Sequence, residues 1–172
     1  MKKIIPILFI TSMLYYVSSC EKDDICVDGD TPLLVIGFFD VEDTTEAKEV
    51  PSIRIKNIDI DSILENDSFS DRTDSPDSLS VPLRSNAVST MYEIIYDSED
   101  DDETELETGN RDTLTITYEL GEAFVSRACG FVANYNNIEV TLTEDSENWI
   151  QDISVVQANV ENTDNIHVKI FH

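Results

Sequence analysis

Three cysteines carry the most definite chemistry in this 172-residue chain. Cys20 stands directly after Val17-Ser18-Ser19, at the end of an apolar run from Ile4 to Val17 that Lys2 and Lys3 precede. A basic start, a short apolar stretch and small residues before the cut make a secretory signal peptide, and a cysteine at the first mature position is the thiol to which lipid is attached after signal peptidase II cleavage. The run, about 14 residues, is too short to span a bilayer, which takes roughly 20. A core helix of that composition would have no reason to begin at two lysines and stop at Ser-Ser-Cys. Residues 1–19 are therefore expected to be a cleaved leader and Cys20 a lipidation site.

With Cys20 committed to lipid, Cys26 and Cys129 remain as an even pair in an oxidising compartment. A Cys26–Cys129 disulfide is expected. Closing a loop of about 100 residues stabilises a fold by roughly 4 to 5 kcal/mol in the chain-entropy model. It would also pin the start of the domain a few residues from the anchor. The competing reading makes Cys129, in Ser126-Arg127-Ala128-Cys129-Gly130-Phe131, a reactive thiol activated by Arg127, but no histidine lies near it in sequence.

Carboxylates are the most abundant reactive groups, 36 acidic residues against 11 basic ones, for a net charge of −25. Loss of Lys2 and Lys3 with the leader makes the mature chain two units more negative still. Such a surface disfavours nucleic acid and anionic headgroups, whose phosphates bind Lys and Arg in place of counterions. It favours solubility and admits divalent cations. The densest run, Asp97 to Glu107, offers Asp100, Asp101 and Asp102 as calcium candidates, because carboxylate oxygens are the preferred ligands of that ion. The EF-hand order is missing, however, and Gly109 stands in the wrong place for it. Without calcium the run is expected to be an extended, mobile, solvated loop, because like charges at that density repel.

Other chemistries lack their parts. His167 and His172 close the chain in a strand pattern and are expected to face solvent, leaving too few nitrogen and sulfur donors for zinc. Ser126 has no glycine-flanked elbow. Carboxylate pairs occur everywhere in so acidic a chain, so none marks a glycosidase. No glycine-rich phosphate loop is present. The chain is expected not to be an enzyme, and calcium is the one cofactor its composition admits.

The elements that must carry these residues are short and alternating. Leu114, Ile116, Tyr118 and Leu120 alternate with polar residues, as do Ile138, Val140 and Leu142, then Ile166, Val168 and Ile170, and Ile53 with Ile55. This period of two marks strands with one buried face. Leu33 to Phe39 is continuously apolar and suits a strand buried on both faces. Leu79 to Leu83, Met91 to Tyr96, Ala123 to Tyr135 with a break at Gly130, and Ile153 to Val160 complete the set, while Asn57 to Pro76 reads as a polar loop. No segment sustains a helical period. The expected fold is all-β, a single antiparallel β-sandwich of immunoglobulin-like type over residues 32–172, after a tether over 20–31. A barrel remains the structural alternative.

Two short patterns bear on location. Glu21-Lys22-Asp23-Asp24, directly after Cys20, resembles the export signal that sends Bacteroidota lipoproteins to the outer face of the outer membrane; a plain charged tether facing the periplasm is the alternative. Asp43-Thr44-Thr45, Asp61-Ser62-Ile63, Asp77-Ser78-Leu79 and Asp112-Thr113-Leu114 resemble the O-glycosylation triplet of exported proteins of that phylum, with Thr44, Ser62 and Ser78 the better candidates. Together with Leu33 to Asp40, Val125 to Phe131, Trp149-Ile150 and the closing Val160 to Phe171, the segment Cys20 to Cys26 resembles an uncharacterised family of flavobacterial lipoproteins, a domain of unknown function. The resemblance implies no activity. It fits the two-cysteine framework and draws attention to Arg127, expected as a charge partner, and Trp149, expected as a core aromatic. The partners expected are the membrane, through the acyl chains on Cys20, and an envelope protein or glycan. An exposed aromatic cluster at Trp149 and Tyr135 would favour the glycan.

Overall fold

The computed structural model describes residue 26 and residues 30–66 and 69–172. Two sheets enclose one core. The first orders its strands β4-β1-β9-β8 and the second β3-β2-β5-β6-β7, with β1 Leu34–Phe39, β2 Arg54–Asn57, β3 Ser62–Ile63, β4 Ser78–Val81, β5 Ser89–Tyr96, β6 Asn110–Ser126, β7 Gly130–Leu142, β8 Asp152–Val155 and β9 Val168–Phe171. The fold is an all-β sandwich, and neither sheet closes into a barrel. It shares the layered architecture of immunoglobulin domains but not their strand order, in which A, B, E and D share one sheet.

Alternation sets which side chains enter the core. Leu34, Ile36 and Phe38 of β1, with Leu79, Val81, Val168 and Ile170 beside them, pack against Ile55, Tyr92, Ile94, Leu114, Ile116 and Tyr118 from the other sheet. All six residues of β1 are buried, because β1 lies between two strands and its outer face is also covered. A Cβ on Gly37 would stand 2.8 Å from Ile166 Cδ1 and from the Phe39 ring. The pairing is not wholly antiparallel: β1 and β9 run parallel, Ile36 opposite Val168. A single antiparallel sandwich was expected; the first and last strands depart from it by lying side by side in the same direction.

That arrangement buries both histidines, against the expectation of solvent-facing positions. His167 is 1% exposed, and its Nδ1 accepts the Val35 N–H at 3.1 Å. Burial pushes its pKa down, keeping the imidazole neutral and able to accept. His172 packs edge-on to Trp149 at 5.5 Å and to Tyr96 at 6.3 Å. Its carbonyl accepts a bond from Lys48 Nζ at 2.7 Å. The pattern of alternation identified the strand but not its place inside a sheet rather than at an edge.

Three tyrosines close one end of the sandwich. The connection from β4 to β5 presents three successive carbonyls, and each accepts a tyrosine hydroxyl: Pro82 from Tyr92, Leu83 from Tyr135 at 2.8 Å and Arg84 from Tyr118 at 2.9 Å. The Tyr118 and Tyr135 rings meet edge to face, centroids 5.0 Å apart. Burial raises the pKa of all three phenols, so they stay protonated donors. Tyr135→Phe leaves the Leu83 carbonyl without its partner and is expected to cost about 1 to 3 kcal/mol. Ile116→Ala, which opens the core between the sheets, is expected to cost about 2 to 5 kcal/mol. Urea melts of both variants check the two values, with exposed Val88→Ala as the neutral reference.

Candidate functional site

Beyond the tyrosines, β6 and β7 continue as a two-stranded arm. No residue from Glu119 to Asn134 is buried, although the strands stay paired out to Ser126 opposite Gly130. Eight residues at about 3.3 Å each give the arm a length near 25 Å. The sequence pattern suggested one strand over Ala123 to Tyr135 interrupted at Gly130; the interruption is the hairpin turn itself, Arg127 to Cys129. Gly130 ends the turn at φ 75, a left-handed conformation that glycine adopts without strain.

The disulfide is at the tip of this arm. Cys129 bonds Cys26 across a sequence separation of 103, with Cα atoms 4.8 Å apart. The pair is the one expected, and it excludes a free reactive thiol at Cys129. Its anchorage differs from the expectation, because it holds the end of the arm rather than the body of the domain. Cys20 and the tag Glu21, Lys22, Asp23 and Asp24 lie outside the described residues. Arg127, expected as a charge partner, is exposed at the tip and has no ion-pair partner among the described residues. Beside it, Phe124 is 59% exposed and Phe131 67% exposed, their rings paired edge to face at 5.4 Å.

At a separate place on the surface, the acidic run is folded and clamped rather than extended. Glu107 Oε1 accepts Arg54 Nη1 at 2.7 Å and the Ser98 hydroxyl at 2.9 Å, while its Oε2 accepts Arg111 Nη2 at 3.1 Å. Arg54 also holds Asp71 through two nitrogens. Arg72 takes Asp100 in a two-pronged pair, 2.7 Å and 2.5 Å. Asp101 Oδ1 accepts the Thr104 N–H and hydroxyl, both at 2.7 Å, and turns the chain back. The arginines Arg54, Arg72 and Arg111 supply the charge that the run's own residues lack.

This geometry does not fit a calcium shell. Asp100 gives both oxygens to Arg72, Asp101 gives Oδ1 to its own turn, and exposed Asp102 stands beside them without a converging set of donors. Among the described residues no group of three or more His, Cys, Asp or Glu side chains could hold a metal ion. An aromatic platform for sugars at Trp149 and Tyr135 is likewise missing. Tyr135 is fully buried, and Trp149, half-buried against Tyr96 at 5.5 Å, donates its Nε1–H to the Ile94 carbonyl at 3.3 Å. A solvent-open depression of about 810 Å³ is lined by Gly109, Asn110, Arg111, Asp145, Ser146 and Glu147. Its one cation, Arg111, is already committed to Glu107 and Glu93.

Of the triplet sites, Thr44 is exposed in the turn after β1, and Ser62 is exposed on the two-residue edge strand β3. Ser78 is half-buried opposite Gly37. Asp112 is fully buried, which removes its triplet from the surface. Its carboxylate accepts the Ile150 N–H at 2.8 Å and Asn148 Nδ2 at 2.7 Å, fastening β6 to the segment that carries Trp149. Burial raises its pKa even so.

Residues 48–172 match the model of a family of unknown function, DUF6452. The chain belongs to that family. The DUF6452 match takes in β2 through β9, the whole arm and Cys129, but begins after β1 and Cys26. No curated protein and no solved structure matches the chain.

Two expectations follow for this DUF6452 domain. The carboxyl of Asp100 is lowered by its pair with Arg72. That of Glu107 is also lowered: burial raises it, but the Ser98 hydroxyl and Arg54 outweigh burial. Lowered folded values stabilise above the ordinary ones, 3.8 and 4.5, and the contribution disappears as pH falls through the folded values. The urea midpoint should therefore hold down to about pH 5 and fall towards pH 3, and the fall should be smaller in Glu107→Gln. Separately, reducing the Cys26–Cys129 bond should lower stability by about 2 to 4 kcal/mol, measured by melts of the oxidised protein and a Cys26→Ser, Cys129→Ser double variant.

Proposed function

We propose that this chain is a lipid-anchored outer-membrane protein facing the cell exterior, a binding or structural envelope module with no catalysis of its own. The observation that carries the reading is the order Lys2-Lys3, Ile4 to Val17, Ser18-Ser19-Cys20 and Glu21-Lys22-Asp23-Asp24: a leader, an acylated thiol and an export tag in register. Each buried methylene of an acyl chain contributes about 0.8 kcal/mol, so two or three chains on Cys20 hold firmly where one would bind reversibly.

The fold is suited to that setting. The disulfide joins the arm to Cys26, six positions from Cys20, and an excess of carboxylates keeps the sandwich hydrated and copies apart. Exposed Thr44 and Ser62 are positions where O-linked glycans would add to that coat. The partner is a protein or glycan of the envelope, met by the loops of the sandwich rather than by a cleft.

Protease shaving of intact cells tests the address. The wild-type protein is expected to be digested, and a Lys22→Ala, Asp23→Ala, Asp24→Ala variant to resist until the envelope is opened. Equal resistance of the two proteins with the envelope intact would show that the exterior placement is wrong.

A further inference from the structure

We propose that the β6–β7 arm is a membrane-contacting element, which seats the Phe124–Phe131 pair at the boundary between headgroups and acyl chains of the bilayer that holds Cys20. The inference rests on the lipid-anchored reading and adds a second point of attachment to it.

The apolar face of the arm is a continuation of the core. Along β6, Leu114, Ile116 and Tyr118 are buried, and Leu120, Glu122 and Phe124 follow on the same side. In β7 one extra residue is inserted where Thr117 opposite Glu139 gives way to Glu119 opposite Asn136, with Asn137 at φ 52. This bulge moves Tyr135, Ala133 and Phe131 onto that side, opposite Leu120, Glu122 and Phe124. Tyr135 is still inside the core and Ala133 packs against it, but the cover ends there. Leu120, Phe124 and Phe131 stay exposed, a concentration of large apolar side chains that an otherwise strongly acidic surface does not explain.

Two observations select a lipid surface as the occupant. Cys129 is two residues from Phe131 and five from Phe124, and its bond to Cys26 leaves six residue steps to Cys20. Six steps reach at most about 20 Å, so the tip cannot leave the neighbourhood of the anchor. Charge points the same way. From Ala123 to Ile138 the chain contains no Asp or Glu, although 36 of its 172 residues are acidic. Among the described residues, Lys48, Arg54, Lys56, Arg72, Arg84 and Arg111 each hold a carboxylate, and Lys169 lies over the Phe39 ring at 4.0 Å. Arg127, at the tip, is left to meet a phosphate oxygen. The hairpin thus presents a cation and two phenyl rings at its end, and the carboxylates near Cys26 in sequence, Glu21, Asp23, Asp24 and Asp28, belong to the chain on either side of Cys26 and not to the arm.

The test uses full-length lipidated protein in phosphatidylethanolamine and phosphatidylcholine vesicles that contain lipid brominated near the glycerol end of its acyl chains. Phe124→Trp and Phe131→Trp report from the tip and Val88→Trp from an exposed position on the body; the wild type, with Trp149 alone, supplies the background. Flotation of the vesicles with wild type and Cys20→Ala reads the anchor separately. The expected result is flotation that depends on Cys20, with tip tryptophans quenched about twofold more than Val88→Trp, and an excess that shrinks when Cys26 and Cys129 are reduced. Flotation with quenching no greater than at Val88→Trp overturns the arm's role and leaves the anchor standing. Tip-to-tip cross-linking in place of quenching overturns it in favour of a second copy. Failure to float overturns the anchored reading and the arm's role with it.

Discussion

The three carbonyls of Pro82, Leu83 and Arg84 fix the geometry of everything beyond them. Each is capped by a tyrosine from a different strand, Tyr92 of β5, Tyr135 of β7 and Tyr118 of β6. In this connection from one sheet to the other Leu83 is buried, and its carbonyl without the tyrosine would cost about 1 to 3 kcal/mol. The Tyr118 and Tyr135 rings, packed edge to face, belong to the last core layer before β6 and β7 leave the sandwich. The lock therefore does two things at once: it ties the sheets together at one end, and it gives the arm a rigid root.

Charge, not hydrophobicity, distinguishes the surface of this fold. With over three acidic residues for every basic one, each arginine that is spent on one carboxylate is withheld from others. Arg54, Arg72 and Arg111 converge on Glu107 and its neighbours, so the densest acidic run is the one that becomes ordered. Arg54 and Glu107 are partly buried, where Coulomb attraction is screened less than at the open surface. Carboxylates elsewhere remain solvated and keep copies of the protein apart.

The strands were legible because alternation is a local signal: Leu114, Ile116 and Tyr118 enter the core as the pattern requires, and β1 reads as doubly buried. The cysteine pair was legible from number once Cys20 was assigned to lipid. What sequence could not supply was long-range. Nothing local says that β9 lies parallel to β1, and so nothing says that His167 and His172 are covered. The acidic run read as mobile because its partners Arg54 and Arg72 are more than 25 positions away. The burial of Asp112 was hidden for the same reason; Ile150 and Asn148, which satisfy its carboxylate, arrive from the other side of β7. Gly130 was visible as a break, but a break in a strand and the turn of a hairpin look alike until the register on both sides is known. The exposed Phe124 and Phe131 could have been noticed as large apolar residues in the acid-free stretch from Ala123 to Ile138, which follows β6's alternating pattern.

The disulfide and the tyrosine lock brace opposite ends of the same arm. A two-stranded ribbon on its own is marginal in water, because it buries too little to offset the backbone entropy of its residues. Fixing the root in the core removes one end of that disorder, and the Cys26–Cys129 bond removes the other. With Cys20 in a bilayer, the separation between membrane and sandwich is then set by a braced arm of about 25 Å, and not by the free length of a tether. A rotation of the sandwich about its anchor must carry the arm with it. That constraint is what a plain charged linker between Cys20 and β1 would lack, and it gives the arm and its cysteine, which lie within the family match over residues 48–172, a mechanical reason to be part of the domain and not an appendage to it.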